Sequence, residues 1–294
     1  MGYLMTVAAF IIWGFTSTVI LRAVPLTGPA ASSAGCLIGA AAMLAVLGPK
    51  RWPEVLGVFR RHAWRLAGLG AAFAGCSFTY QWSVKSTSVA NAVLTHSLQP
   101  ILTCLVFIPL WGGPKTTAKG YGALALGIAG LALLLGPQLS WEGPLLGVLL
   151  GAASAGFFSW YLVQVPFFKE HEPQTLQIAV LLSAAAFLLP AWFFNGPVVL
   201  DARGIGATLA FGLLNFALAN VLYFRAMRRI PMGHVATLAY VEPVVAIVSA
   251  AAFLGEPMTA GVIGGGLLIL ASGALVIFDR PGRKGKEEKR KSVS

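Results

Sequence analysis

The feature that most constrains this chain is a succession of apolar stretches of about 20 residues, joined by short connections. A helix of that length crosses the hydrocarbon core of a bilayer, which is about 30 Å thick. Of the 294 residues, 57% are hydrophobic and 11% are charged, whereas about a quarter of a soluble domain is charged. The sequence therefore predicts an all-α membrane protein with ten transmembrane helices. Its predicted spans are residues 3–24, 30–48, 64–84, 88–110, 116–136, 145–165, 175–195, 203–225, 232–254 and 258–278.

The basic residues are distributed unevenly between the two sides on which the connections alternate. Three of the 21 Lys and Arg residues, Arg22, Lys85 and Arg203, fall on one side, and the other 18 fall on the opposite side. Connections rich in Lys and Arg stay in the cytoplasm, so both termini are predicted to be cytoplasmic. The net charge of +11 then reflects topology and predicts no nucleic-acid partner. Residues 280–294 form a basic cytoplasmic tail, for which binding to anionic lipid is the alternative role.

An internal repeat relates the two halves of the chain. Residues 80–130 align without a gap with residues 223–273, at an offset of 143. The matched helix-breaking residues are Pro100 with Pro243, Gly112 with Gly255, Pro114 with Pro257 and Gly130 with Gly273. Each half holds five predicted spans, and an odd number gives the second half the opposite orientation. The sequence therefore predicts two inverted five-helix repeats, residues 1–137 and 138–279, an architecture typical of transporters that bind substrate near the midplane.

Polar residues stand inside the predicted fourth and ninth spans. Pro100 and Pro243 each remove a backbone donor, so both helices are predicted to kink there. Gln99 and Glu242 precede these prolines at equivalent positions of the repeat. An acid at the centre of a bilayer helix costs roughly 2.5–3.5 kcal/mol, so Glu242 is expected to face the bundle interior or water. It either hydrogen-bonds a neighbouring helix, or it is a cavity carboxylate that binds a substrate ammonium group or a proton.

Other side chains are candidates for the same cavity. Asn91, Thr95 and Gln99 share one face of the predicted fourth helix, with His96 at its edge. His96 is also a second candidate for proton transfer. The predicted substrate-binding residues are Trp13, His96, Gln99, Asn215, Tyr240 and Glu242. For the aromatic residues the alternative is packing, and for Asn215 and His96 it is a structural hydrogen bond.

Several classes of function are disfavoured. Lys and Arg are missing from the predicted midplane, which argues against phosphate-bearing substrates. Glu242, His96 and His234 are too dispersed for a nucleophile–base pair or a metal cluster at helical spacing. The sequence therefore predicts no enzymatic activity, no cofactor and no metal. Glycines four residues apart in 35–39 and 261–265 allow close helix contacts and a homodimer.

Short motifs carry a resemblance to a known family. They are Trp13-Gly14 in the first span, "YFRAM" at 223–227, "VEPVVA" at 241–246 and "LGEP" at 254–257. With its ten predicted spans in two halves, the chain resembles the EamA family of the drug/metabolite transporter superfamily over nearly its whole length. It departs from the family at "WGGP", 111–114, where an acidic residue usually replaces Gly113. The resemblance implies a bacterial inner-membrane exporter of amino acids or related metabolites, with a central cavity between the repeats.

Two transport hypotheses follow. In the first, the protein exports small metabolites, above all neutral amino acids, by alternating access through a midplane cavity in the lipid bilayer. Glu242 or a nearby carbonyl then takes the ammonium group, Gln99, His96 and Asn215 orient the carboxylate, and aromatic residues accept the side chain. In the second, Glu242 carries protons and drives the efflux of amphipathic or cationic drug-like compounds.

Overall fold

A computed structural model describes residues 1–86, 89–111, 117–135, 145–195, 201–255 and 259–278. These residues form helices joined by short connections, and no β-strand occurs among them. The α-helices are α1 (Gly2–Phe15), α2 (Gly28–Leu47), α3 (Trp52–Ser86), α4 (Val89–His96), α5 (Gln99–Leu102), α6 (Ile108–Leu110), α7 (Ala118–Leu135), α8 (Leu145–Gln164), α9 (Pro173–Leu188), α10 (Ala202–Phe211), α11 (Ala219–Met227), α12 (Met232–Leu238), α13 (Val241–Leu254) and α14 (Ala260–Phe278). The basic tail and the motif residues Gly112, Gly113, Pro114 and Pro257 lie outside the described residues.

Segments of other helix types extend these α-helices. The π-helical segments are Thr16–Ile20, Thr103–Phe107 and Gly212–Leu218. The 3₁₀ segments are Leu21–Ala23, Pro49–Arg51, Val165–Phe168 and Leu189–Phe194. Six of the resulting stretches are long and apolar enough to cross a membrane: Gly2–Ala23, Gly28–Leu47, Leu145–Phe168, Pro173–Phe193, Ala202–Met227 and Met232–Phe253. Shorter apolar helices cover Gln99–Leu110, Ala118–Leu133 and Ile263–Leu275. The prediction of an all-α fold is confirmed within the described residues.

Local sequence signals mark several helix ends. Glu172 accepts a hydrogen bond from the backbone N–H two residues later at 2.9 Å, and so caps the start of α9. Asp201 caps α10 in the same way, accepting from the N–H three residues later at 2.7 Å. α2 and α13 are each followed by a glycine with positive φ, Gly48 at 73° and Gly255 at 74°, a conformation that favours glycine at a helix end.

One sequence prediction of a connection was wrong. Residues 49–63 were expected to form a loop, but α3 begins at Trp52 and is interrupted only at His62, where φ is −131° and ψ is 28°. Val55 and Val58, three residues apart, are both buried, so this first part of α3 is an amphipathic helix with an apolar face of its own. Its arginines hid that pattern from a search for uniformly apolar spans.

The helices enclose two hydrophobic cores. The larger core includes Phe10, Leu69, Leu162 and Phe224, and it lies where α1, α3, α8 and α11 meet. α3 also packs against α9, α2 against α9 and Gly212–Leu218, α4 against α8, and α1 against α13. α7 and α14 form a separate pair at the side of the molecule. The smaller core lies between this pair and the helices that carry Cys104 and Tyr240.

The glycines of 35–39 make their close contacts inside the chain. A Cβ atom on Gly35 would lie 2.3 Å from the ring of Phe216, and one on Gly39 would lie 2.9 Å from the Phe216 Cβ. These two glycines therefore let α2 approach the π-helical segment Gly212–Leu218. The homodimer stays a prediction. Within the chain, this glycine pair already packs against Phe216.

Candidate functional site

The helical stretch that carries Glu242 is interrupted at Ala239 and Tyr240, shortly before Pro243. α12 ends at Leu238 and α13 begins at Val241. Proline has no N–H to continue the ladder, and the N–H of Glu242 donates to the carbonyl of Ala239, three residues back, at 3.0 Å. The tightened turn presents Glu242 at the start of α13 and not on the side of a continuous helix.

The carboxylate of Glu242 has no protein partner among the described residues. No described side chain forms a hydrogen bond or an ion pair with it, and the residue is only half-buried. Tyr80 and Tyr223 lie within range of electrostatic interaction with it. Its backbone carbonyl packs against Gly14, where an added Cβ would lie only 2.7 Å from that oxygen. The carboxylate is therefore held in the bundle and is open to a ligand.

Five rings from five helices lie beside this carboxylate. We call Trp13, Tyr80, His96, Phe158 and Tyr223 the aromatic cluster. The ring centroid of Trp13 lies 5.0 Å from that of Tyr223 and 6.4 Å from that of Phe158. His96 lies 4.7 Å from Tyr80 and 6.0 Å from Phe158, which joins the rings into one series. All except Tyr223 are half-buried, so the rings of the cluster keep some accessible apolar surface.

Both oxygen atoms of Asn215 accept hydrogen bonds from the helical stretch that carries Trp13 of the aromatic cluster. It lies in the π-helical segment Gly212–Leu218, and such segments often occur at functional sites. The indole N–H of Trp13 donates to the Asn215 carbonyl at 2.9 Å, and the hydroxyl of Thr16 donates to Asn215 Oδ1 at 2.6 Å. Within the described residues its Nδ2 group makes no hydrogen bond. Asn215 thus retains two N–H donors for a ligand.

The hydrogen bonds around His96 define which ring nitrogen carries the proton. Nδ1 of His96 lies 2.8 Å from the hydroxyl oxygen of Ser154, and that hydroxyl donates its one hydrogen to the Gly151 carbonyl at 2.6 Å. Ser154 must therefore accept from Nδ1–H, and the neutral ring carries its lone pair on Nε2. Since Nε2 has no partner in the described part of the chain, it is available as an acceptor.

Gln99 occupies a different environment. Its side chain is 2% exposed, and its Nε2 donates to the hydroxyl of Thr103 at 2.9 Å. Thr103 donates to Ser159 at 3.0 Å, and Ser159 donates back to the carbonyl of Gln99 at 3.1 Å. The amide is therefore engaged in a closed hydrogen-bonded ring between α5 and α8. This ring holds the segment that precedes Pro100.

Tyr240 also lies apart from the aromatic cluster. Its side chain is 1% exposed and packs in the smaller core with Cys104, Leu124 and Ile269. A Cβ on Gly127 would lie 2.4 Å from its ring, so α7 covers one face of the tyrosine. The structure therefore brings Trp13, His96, Asn215 and Glu242 into one region and sets Gln99 and Tyr240 in packed surroundings.

Sequence reasoning missed three of the aromatic residues. Tyr80 and Tyr223 occupy equivalent repeat positions, and this was the available signal, but both lie near the ends of the predicted spans 64–84 and 203–225. Phe158 is one of 18 phenylalanines, so nothing in the sequence distinguishes it. Both kinds of residue matter because their rings form the surface beside Glu242.

Charged side chains of the described residues gather at the end of the molecule that carries the start of α3. The Arg51 guanidinium donates to both carboxylate oxygens of Glu54, at 2.9 to 3.2 Å, and these hydrogen bonds lower the pKa of that carboxyl from its usual value. Arg228 donates to the carbonyl of His171 at the same end. None of the five residues of the aromatic cluster is Lys or Arg, and Glu242 interacts electrostatically with two of them, Tyr80 and Tyr223.

Comparison with known proteins gives the family. The model of the EamA-like transporter family matches residues 1–136 and 145–278. The uncharacterized transporter YwfM of Bacillus subtilis (strain 168) is 30% identical over 285 residues, which cover 94% of this chain and 92% of YwfM. The threonine/homoserine exporter RhtA of Escherichia coli (strain K12) is 25% identical over 218 residues, 70% of this chain and 66% of RhtA.

A solved crystal structure shares the fold. It superposes with a TM-score of 0.79 over 96% of this chain and 99% of its own, at 22% identity. With the apolar helices described above, these similarities agree with the resemblance seen in the sequence motifs. The chain is a multi-pass membrane protein and belongs to the EamA-like transporter family.

Proposed function

We propose that this transporter exports small zwitterionic metabolites, above all neutral amino acids, by alternating access. The observation that carries the proposal is the Glu242 carboxylate, which lacks a partner among the described residues and lies beside the aromatic cluster. A carboxylate held in an apolar bundle without a counter-ion is a good partner for an ammonium group. The exporter RhtA, a relative named for threonine and homoserine, supports this substrate class.

The binding groups divide between the two ends of an amino acid. Glu242 takes the ammonium group, and the Nδ2 donors of Asn215 take the carboxylate. The accessible rings of Trp13 and Phe158 accept the substrate side chain. Nε2 of His96 accepts a hydrogen bond from the ammonium group or from a substrate hydroxyl. Gln99 and Tyr240 stabilise the helices that surround the site, and contact the substrate only if the inner segments move.

The ten-helix arrangement of two inverted repeats, residues 1–137 and 138–279, is part of the proposal. In that scheme α1 corresponds to α8, α2 to α9, α3 to α10–α11, α4–α6 to α12–α13, and α7 to α14. If each helix is replaced by its counterpart in the other half, the contact of α3 with α8 becomes the contact of α11 with α1. In the same way, the contact of α4 with α8 becomes the contact of α1 with the α12–α13 pair. The structure contains all of these contacts. The contacts of α7 with α14 and of α2 with α9 join corresponding helices, so the same replacement leaves them unchanged. This invariance supports alternating access by exchange of conformations between repeats.

The repeat also accounts for the different environments of Gln99 and Glu242. Ser159 donates to the backbone carbonyl of Gln99 and so closes the hydrogen-bonded ring that contains the Gln99 side chain. At the offset of 143, Ser159 corresponds to Thr16, whose hydroxyl donates to Asn215 Oδ1 at 2.6 Å, while the Glu242 carbonyl packs against Gly14. The equivalent hydrogen-bonded ring is therefore not formed around Glu242 in the described part of the chain. One repeat supplies a closed structural contact, and the other supplies an open carboxylate for the substrate.

Counterflow in proteoliposomes tests the substrate class. Vesicles that hold the purified full chain and a high internal concentration of one unlabelled neutral amino acid should accumulate the labelled form of that compound. Glu242→Gln should reduce this uptake at least ~10-fold, because the amide cannot pair with ammonium. Glu54→Gln makes the same loss of charge at the arginine-rich end of the molecule, away from the aromatic cluster, and serves as the control. Absence of counterflow across a panel of neutral amino acids would contradict the proposal.

Proton-coupled efflux of amphipathic or cationic compounds is the second candidate. The unpaired Glu242 carboxylate and the free Nε2 of His96 favour it, because both can exchange a proton within the bundle. In this case Glu242→Gln abolishes transport driven by a pH gradient and leaves counterflow of the substrate intact. Loss of both activities supports substrate binding by Glu242, so the same vesicles separate the two roles.

The proposed setting is the cell inner membrane with both termini in the cytoplasm. The clustering of Arg51, Arg61, Arg65 and Arg228 at one end of the described structure supports this orientation. The partners are the small-molecule substrate and the lipid bilayer. A homodimer is compatible with this arrangement, and the transport route through each chain does not require one.

A further inference from the structure

Two histidines and a glutamate converge at the arginine-rich end, away from the aromatic cluster. Nε2 of His62 lies 3.1 Å from Oε1 of Glu170, and Nε2 of His171 lies 3.6 Å from the same oxygen. The two imidazole rings cross at 81° with their centroids 5.1 Å apart. One nitrogen or oxygen atom from each residue lies within 4.8 Å of the other two.

Backbone structure brings these residues together. The interruption of α3 at His62 turns that side chain out of the helical register, and its ring packs on Phe168 at 5.5 Å. Glu170 and His171 lie in the short connection between Val165–Phe168 and α9. The carbonyl of His171 accepts a hydrogen bond from Arg228, which holds the connection against the end of α11. Since these positions are far apart in the chain, the sequence did not predict a metal site here.

The spacing suits a transition metal. Metal–ligand bonds of about 2.0–2.1 Å in tetrahedral geometry place the ligand atoms about 3.3–3.4 Å apart. The two distances to the Glu170 oxygen, 3.1 and 3.6 Å, lie on either side of that value. Two imidazoles and one carboxylate form a donor set for Zn²⁺ and similar borderline ions, whereas Ca²⁺ and Mg²⁺ prefer oxygen ligands. The two histidine nitrogens lie within 4.8 Å of each other, and we expect rotation of the side chains to bring them closer when a metal binds.

One ligand atom lacks a hydrogen-bond partner, and a groove gives access to the cluster. Nε2 of His171 is buried but has no hydrogen-bond partner among the described residues. Glu170 and His171 line a groove of about 480 Å³, which gives an ion an entry path and leaves room for a water molecule as fourth ligand. Arg61, Arg65 and Arg228 lie near the cluster and weaken cation binding, while Glu172 in the same groove partly offsets them. All three ligands together are therefore needed for binding.

We propose that His62, Glu170 and His171 form a binding site for Zn²⁺ or a similar divalent transition metal. The ion ties the interruption of α3, in the first half of the chain, to the connection before α9, in the second half. It therefore links the two halves at one end of the molecule. Because movement between the halves underlies alternating access, metal binding holds this end in one conformation. Only that last consequence rests on the proposed function.

Metal titration of the purified full chain tests the site. The protein carries no histidine tag, is stripped of metal with a chelator, and is titrated with Co²⁺ while the visible absorption of the cobalt is recorded. We expect one equivalent of Co²⁺ with the intense bands of four-coordinate geometry, and displacement by Zn²⁺. His62→Ala, His171→Ala and Glu170→Gln should each weaken binding at least ~10-fold. Glu172→Gln removes an acid of the same groove that supplies charge but no ligand atom, so it should weaken Co²⁺ binding much less than any ligand variant.

Thermal unfolding shows whether each variant is folded. Without metal, the three ligand variants should unfold close to the temperature of the unaltered chain, and Zn²⁺ should raise that temperature only for the unaltered chain and for Glu172→Gln. Failure of Co²⁺ to bind, or equal binding by the His62→Ala/His171→Ala double variant, would overturn the site. These measurements contain no substrate, so their outcome is independent of the transport assays.

Discussion

Glu242 and Gln99 show how one neighbouring side chain decides the role of a polar residue. Both precede a proline at equivalent positions; Gln99 is the first residue of α5, and Glu242 is the second residue of α13. Ser159 completes a hydrogen-bonded ring around Gln99, whereas Gly14 packs directly on the Glu242 backbone and adds no donor. The acid therefore remains available, and the packing at Gly14 determines how close α1 comes to it.

Gly14→Ala tests that packing. The added Cβ would lie 2.7 Å from the Glu242 carbonyl oxygen and 3.2 Å from the backbone N of Ala246, so a backbone segment must shift. We expect a loss of about 1–3 kcal/mol in the free energy of unfolding, together with reduced counterflow. Gly156→Ala is the control, because nothing lies within 4 Å of its added Cβ. There the higher helix propensity of alanine should stabilise the protein by about 0.5–1 kcal/mol. Unfolding in detergent that shifts equally for both variants would contradict this account.

The π-helical segment Gly212–Leu218 is held open by side chains from outside it. Its wider hydrogen-bonding pattern leaves carbonyls to be satisfied by other donors. The carbonyl of Asn215 accepts from Trp13 and from Asn220, and the carbonyl of Phe216 accepts from Asn220 and Gln177. Asn220 Nδ2 donates to both carbonyls, at 2.9 and 3.2 Å, and so connects them. This support keeps Asn215 beside the aromatic cluster.

Asn220→Asp should disrupt the segment without changing the size of the side chain. The carboxylate replaces the Nδ2 donor with an acceptor that faces two carbonyl oxygens, so we expect a loss of at least about 1–3 kcal/mol in the free energy of unfolding. Faster hydrogen exchange across 212–218 should accompany it. Asn195→Asp is the matched control, because Asn195 accepts from the N–H of Thr27 at 2.7 Å and aspartate preserves that bond. Similar destabilisation of the two variants would count against the assigned hydrogen bonds.

The pairwise helix contacts bear on the arrangement of the complete chain. In the proposed two-repeat scheme, several contacts between the halves have a counterpart when the halves are exchanged, and the contact of α7 with α14 is its own counterpart. Contacts of this kind join helices that are far apart in sequence, so they connect the two halves into one bundle. A transporter built this way needs opposite orientations of its halves relative to the membrane.

Reporter fusions test this topology. A fluorescent protein that folds only in the cytoplasm should be fluorescent when fused after Lys169 or at the C-terminus, because the neighbouring connections carry the excess of Lys and Arg. Alkaline phosphatase, active only outside the cytoplasm, should be active when fused after Asn195. The opposite pattern at Lys169 and Asn195 would refute the assigned orientation, and equal activity at both sites would refute the number of spans between them.

Much of the fold is predictable because hydropathy and helix-breaking residues are local properties. A span of apolar residues must be helical in a bilayer whatever its neighbours are, and the predicted spans coincide with helical segments of the described chain. The segment that begins at Trp52 escaped prediction because an amphipathic helix needs a partner surface for Val55 and Val58. That surface comes from other parts of the chain.

The amino-acid sequence alone predicts the membrane class, most of the helix positions and the family, because each depends on residue type and order. It also singles out Glu242, since the cost of an acid in a bilayer depends little on the partner helices. Which side chains meet was decided by packing between distant segments. Packing puts Tyr80 and Tyr223 beside Glu242, encloses Gln99 and Tyr240, and brings His62 to His171. Helical spacing specifies the face of the helix on which a residue lies. Which other helix packs against that face depends on the arrangement of the whole bundle.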